Sequence, residues 1–293
     1  MFEGFTAVDV ETPRGAVRAR VGGSGPPLLL LHGFPETHLM WHAVAPRLAE
    51  RFSVVAADLP GYGDSFRPPV SADHAAHSKR ALAQDLIAAM GRLGHGSFSV
   101  AGHDRGGRVA YRMALDHPLI VSRLAVLDIV PTGEIWSRAD DRFALGYWHW
   151  PFLAQPAPLP ERLILGDPEG FWVAAERMGI KIDDDRYPAE TIAVYRAQLT
   201  DPEVVAAMCE DYRAGATIDR EHDDADRGHR TIGCPVRALW GGQGALPRFY
   251  ADPLEPWRPY APNLTGRAVE HASHFLAEDR PEDVAADLAD FFD

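Results

Sequence analysis

Gly102-His103-Asp104-Arg105-Gly106-Gly107 joins an apolar run, Ser97 to Ala101, to a segment of helical spacing, Arg105 to His117. A nucleophilic side chain flanked by glycines at a strand-to-helix junction is the pattern of a nucleophile elbow, with Asp in place of the usual Ser. The glycines answer a physical requirement. A sharp turn presses its neighbours together, so flanking positions must lack bulk while the central side chain is thrust into the crevice at the carboxyl ends of the strands. The helix that starts there also turns backbone N–H groups toward an anion. Asp at such a position equally serves as a simple helix cap, so its surroundings decide between the two.

Upstream, Thr6 to Thr12 and Ala16 to Gly22 read as a hairpin broken at Pro13-Arg14-Gly15. Pro27 to Leu31 and Phe52 to Ala57 are continuous apolar runs, as expected of strands buried on both faces of a parallel sheet. Ser78 to Leu93 carries Leu82, Leu86, Ala89 and Leu93 at near-helical spacing behind a Ser cap. Downstream, Leu124 to Leu127 is a further strand running into Asp128. This alternation of strand and helix predicts a parallel α/β sheet with right-handed crossovers. It stops at Pro131. Amphipathic stretches follow, among them Phe171 to Met178, Ala189 to Leu199 and Pro202 to Arg213, until strands resume at Val236 to Trp240 and Gly266 to Val269. Pro281 to Phe292 closes the chain as a helix with Pro near its start. The organisation expected is a core over 1–130, a helical cap over 131–229 and a second part of the core over 230–293.

The composition fits that plan. The chain has 293 residues, 46% hydrophobic and 24% charged, which excludes fibrous, disordered and membrane-spanning classes. Its 29 Lys+Arg against 42 Asp+Glu give a formal charge of −13, opposed to nucleic acid or an anionic lipid surface as partner. Cys209 and Cys234 are the only thiols and stand in no metal-ligand spacing, so neither a disulfide framework nor a zinc site is expected. Met1-Phe2-Glu3-Gly4-Phe5 shows no basic stretch leading into an apolar one, and no run approaches the ~18 apolar residues a membrane span needs, so a reducing, cytoplasmic setting is the expectation.

Other residues gather around Asp104. His32-Gly33-Phe34-Pro35 follows the strand whose loop supplies an oxyanion-hole N–H in elbow-bearing folds, here that of Phe34 beside that of Arg105. His32 itself reads as structural. With the order nucleophile, acid, histidine, the base falls late in the chain, and of His271 and His274 the second is preferred: it lies in Ser-His-Phe after the last strand, before an acidic stretch. The usual position for the acid offers only Gly241, Gly242, Gln243 and Gly244. Asp128, at the end of the earlier strand, takes the role instead. Arg105 and Arg108, three apart at one helix start, lie on one face and are expected to fork a small carboxylate.

With these residues in place, the whole chain resembles an α/β-hydrolase-fold enzyme, and in particular the fluoroacetate (haloacetate) dehalogenase family. The matching motifs are His103 to Arg108, Leu127 to Thr132, His274-Phe275, Tyr147-Trp148-His149-Trp150 and Cys209-Glu210-Asp211-Tyr212-Arg213. One departure is Ser273, where Gly is common in the family, and a small residue is kept. The resemblance implies a mostly parallel eight-stranded sheet with helices on both faces and an inserted helical cap. It implies Asp104 as nucleophile, Asp128 as acid, His274 as base and a halide cradle of His149, Trp150 and Tyr212. It also implies a homodimer acting on a small anionic substrate without metal or organic cofactor. Three hydrogen-bond donors suit a fluoride that concentrates its charge as it departs.

Two alternatives stay open. An epoxide hydrolase shares the Asp nucleophile and would use Tyr147, Tyr195 or Tyr212 as proton donors, although a neutral epoxide leaves two arginines without a partner. A non-catalytic binding protein on the same scaffold is the other, since fold alone does not fix activity.

Overall fold

The computed structural model describes residues 1–180 and 184–293. Its eight strands are β1 (Thr6–Thr12), β2 (Gly15–Gly22), β3 (Pro27–Leu31), β4 (Ser53–Ala57), β5 (Phe98–His103), β6 (Val121–Leu127), β7 (Val236–Gly241) and β8 (Leu264–Val269). They form one sheet in the order β1-β2-β4-β3-β5-β6-β7-β8. β1 and β2 form an antiparallel hairpin, β2 runs antiparallel to β4, and every later pair is parallel.

Burial explains the apolar runs. Leu28 to Leu31 in β3, Val54 to Ala57 in β4 and all of β5 are buried, as strands with helices on both faces must be. β8, at the sheet edge, alternates instead, with Thr265 and Arg267 exposed. β6 starts at Val121, three residues before the run expected from sequence: polar Ser122 and Arg123 interrupt the apolar signal, and the pairing with β5 shifts register there before resuming at Leu124. The hairpin turn is likewise shorter than read: Gly15 already pairs with Thr12.

Among the helices, α1 (Lys79–Arg92) carries its Ser78 cap, whose side chain accepts from the Ala81 N–H. α2 (Asp104–Asp116) follows β5 without a spacer residue. Between β6 and β7 the described residues are helical or irregular, with α3 (His149–Leu153) and α4 (Pro202–Ala216) among the helices there. α5 (Pro281–Phe292) ends the fold. Among the described residues no helix is long and apolar enough to cross a membrane. Both cysteines are free thiols.

Candidate active site

The junction of β5 and α2 is where the chain is tightest. Asp104 has φ +42°, a left-handed backbone that costs roughly 1–2 kcal/mol for a residue with a side chain. Its surroundings hold it there. A Cβ on Gly102 would stand 2.4 Å from the Gly106 carbonyl oxygen, and one on Gly106 would stand 2.4 Å from that of His32. Only glycine fits either position. The Gly106 N–H donates to the His32 carbonyl at 2.9 Å, locking the elbow to the loop after β3.

From that loop the Phe34 N–H donates to Asp104 Oδ1 at 3.1 Å. Arg105 stands in the first turn of α2, where N–H groups lack intrahelical acceptors. Burial alone would raise the Asp104 pKa, but the charges of His274, Arg105, Arg108 and His103 outweigh it and hold the carboxyl at about 2. Asp104 is therefore a buried carboxylate, ionised across the physiological range, and not a solvated helix cap.

On the next strand inward from the glycine stretch, Asp128 directly follows β6 with φ +52°. Its Oδ2 accepts from His274 Nδ1–H at 2.6 Å, and its Oδ1 accepts from the Gly241 N–H at 2.9 Å. The carboxylate missing after β7 is thus supplied from β6, and the β7 backbone steadies it. The bond at Nδ1 leaves Nε2 of His274 to act on a water.

The two arginines are buried but differently engaged. Arg105 donates from Nε to Asp211 Oδ2 at 2.6 Å and from Nη2 to the Asp211 carbonyl at 2.9 Å, with its guanidinium carbon 4.2 Å from the Tyr212 ring centroid. The edge expected to clasp a ligand is already taken, and only Nη1 is buried without a partner. Arg108 donates from Nη1 to the Val130 carbonyl at 3.0 Å and to Thr132 Oγ1 at 3.2 Å, leaving Nε unpartnered. Among the described residues it forms no ion pair. Burial and the neighbouring Arg105 charge lower its pKa. Arg105 therefore has Nη1 left for a ligand and Arg108 has Nε.

Over Asp104 lies an aromatic enclosure. The His149 ring stacks on Phe34 at 6.2 Å with planes 10° apart, and Tyr212 meets Phe34, His149 and Trp150 edge-on at 5.5, 6.0 and 5.8 Å. Among the described residues no protein acceptor takes the Trp150 N–H, the Tyr212 hydroxyl or a His149 ring nitrogen. Burial pushes His149 down to about 3, so its imidazole is neutral and donates through one nitrogen. Tyr147 packs 5.8 Å from His149, and burial together with the Asp128 and Asp104 carboxylates keeps its hydroxyl protonated. Tyr195 is not in this group: its hydroxyl donates to Glu278 Oε1 at 3.2 Å.

Sequence reasoning missed the layer beneath. Asp211 accepts from Arg105, Lys79 Nζ and the Tyr62 hydroxyl, and the Arg105 and Lys79 charges depress its pKa despite burial. His103 donates from Nδ1 to Glu36 Oε2 at 2.8 Å and from Nε2 to the His274 carbonyl at 2.9 Å. Two ring nitrogens facing two acceptors make it an imidazolium, and although burial opposes the charge, Glu36 raises its pKa to about 9. An unfolded His titrates near ~6.5, so this proton stabilises the fold by about 3 kcal/mol below that pH, an amount lost as pH rises through about 9. Unfolding free energy from urea titrations should fall between pH 7 and 9.5 in the wild type and stay flatter in His103→Gln. Parallel pH profiles would refute the imidazolium.

A family profile for the alpha/beta hydrolase fold matches residues 26–157. A fluoroacetate dehalogenase of Burkholderia sp is 43% identical over 99% of this chain and 95% of its own length. The chain belongs to the fluoroacetate dehalogenase family of the α/β-hydrolase fold. A soluble epoxide hydrolase of Corynebacterium sp. (strain C12) is also similar, 34% identical over 92% of this chain and 91% of its own. A solved structure from Nostoc sp PCC 7120, provisionally assigned as an alpha/beta hydrolase, superposes with TM-score 0.95 at 45% identity and covers 99% of both chains. Hydrolase chemistry follows from membership in this family, and the substrate is a matter for the side chains around Asp104.

Proposed function

We propose that this member of the family hydrolyses a haloacetate, with fluoroacetate as the intended substrate, to glycolate and halide through an ester on Asp104. Arg108 carries the proposal. A buried guanidinium bonded only to neutral acceptors costs several kcal/mol to keep, and a substrate carboxylate repays that cost where a neutral substrate does not. The Nη1 of Arg105 supplies a second donor to the same group.

With the carboxylate so held, an Asp104 oxygen attacks the carbon bearing the halogen, and the C–O bond forms as the carbon–halogen bond breaks. The halide leaves with its electron pair toward His149, Trp150 and Tyr212, whose donors tighten as charge develops. Water then gives a proton to His274 Nε2, and the resulting hydroxide adds to the Asp104 carboxyl carbon. The oxyanion so formed is held by the N–H groups of Phe34 and Arg105. Collapse expels the glycolate oxygen, which takes up the proton of the added hydroxyl. Asp104 is restored with one oxygen from solvent, and His274 returns its proton to the medium. Residues 131–229 act as the cap that shuts bulk water out, and no metal or organic cofactor takes part in this route.

A second reading, epoxide hydrolysis, is favoured by the protonated Tyr147 and Tyr212 hydroxyls near Asp104. Halide-selective electrode assays on fluoro-, chloro- and bromoacetate, set against styrene oxide turnover, separate the two. Halide release with styrene oxide untouched is the expected outcome. Turnover of styrene oxide alone would replace the proposal, and inactivity on all four would make the chain a binding protein.

A further inference from the structure

Beside the enclosure lies a cavity of about 690 Å³ whose wall includes His274 and Tyr147, so it reaches the reacting centre from outside. Gly179, Gly242 and Gly244 keep part of that wall free of side chains. Besides His274, two cationic residues line it, Arg177 and Arg248, and among the described residues no carboxylate does. Both arginines are exposed. Arg248 is held by one neutral bond, from Nη2 to the Gln243 carbonyl at 3.2 Å. Arg138 and Arg186, by contrast, are neutralised, the first by Glu134 and Glu255 and the second by Asp184. Glu270 Oε2 stands 3.4 Å from where a Cβ on Gly242 would be, but Glu270 does not line the cavity.

A chain of formal charge −13 repels small anions at long range. A rim of two cations that no described carboxylate pairs with is the local arrangement that overcomes this, because low-dielectric walls focus the field along the cleft. We propose that the cavity is the approach channel for a small carboxylate anion, and that Arg177 and Arg248 draw the anion in before Arg105 and Arg108 receive it. This rests on the haloacetate reading for the receiving site and adds residues that never touch the reacting atoms.

The experiment uses acetate, which binds without reacting, and follows stopped-flow tryptophan fluorescence from the Trp150 region of the full chain. In Arg177→Gln/Arg248→Gln the association rate constant should fall about three- to tenfold at low ionic strength, and further in Arg177→Glu/Arg248→Glu. The difference should close near ~0.5 M salt, where screening is short-ranged. Halide release at saturating fluoroacetate should match the wild type, which also shows that the variants fold. If the wild type binds acetate and both double variants bind it at the wild-type rate, the channel assignment is wrong while the haloacetate reading stands. A rate deficit that persists unchanged at high salt also overturns it, since it then reports shape. If acetate does not bind the wild type, the carboxylate-receiving site and the channel both fall.

Discussion

His274→Asn releases about one halide per active site and then stalls, with a carboxymethyl ester left on the peptide that contains Asp104. The expectation follows from the division of labour between the two steps. Displacement at carbon needs only the ionised Asp104 and a place for the halide, and neither depends on the imidazole taking a proton. Hydrolysis of the ester does, because an unassisted water is a poor nucleophile, and losing a positioned general base costs roughly 10²–10⁴ in rate. Asn keeps a side chain that can still meet Asp128, so the loop between β8 and α5 is not left with a bare buried carboxylate. Intact-peptide mass spectrometry after mixing with fluoroacetate reads the result. Halide that keeps appearing while the Asp104 peptide stays unmodified would exclude the ester and point to direct attack by water.

The second large effect is expected at Arg108. Arg108→Leu should lower kcat/KM for fluoroacetate by about 150- to 4,000-fold, as losing a buried charge-to-charge partner costs roughly 3–5 kcal/mol. Its effect on the fold should run the other way. The guanidinium pays for burial with two neutral acceptors and a position 4.5 Å from the Trp150 ring centroid, and leucine keeps apolar volume beneath that ring. Tm should therefore hold or rise while activity collapses, the pattern of a residue kept for a ligand and not for packing. Wild-type turnover in this variant would remove Arg108 from substrate binding, and a collapse of Tm would make it structural.

The difference between what sequence conveyed and what it did not is a difference in range. Leu28 to Leu31 and Val54 to Ala57 announced the central strands because burial on both faces leaves no room for alternation. The elbow was legible because its steric demand is met within a few residues, at Gly102 and Gly106. Asp128 was legible by elimination, since the glycines after β7 left the histidine without an acid. Asp211 and Glu36 were not. Each acts on a residue far away in sequence, Arg105 and His103, and a lone acidic residue carries no local mark of such a partner. The same holds for Tyr195, whose hydroxyl faces Glu278 and not the enclosure. Helical spacing places Arg105 and Arg108 on one face but says nothing about how many of their donors other residues already occupy, as Asp211 does for Arg105.

One ring joins the two halves of the chemistry. His103 precedes the nucleophile in the chain and bonds the backbone carbonyl of the base, so the loops that carry Asp104 and His274 share a single bolt. Heat or denaturant that loosens one loop drags the other, and the two functions fade in step. The floor of the site is for this reason the wrong place to make room for bulkier 2-haloacids. Space has to be carved from the roof, at Phe171, whose ring meets Phe34 edge-on at 6.4 Å and gives no donor to the halide.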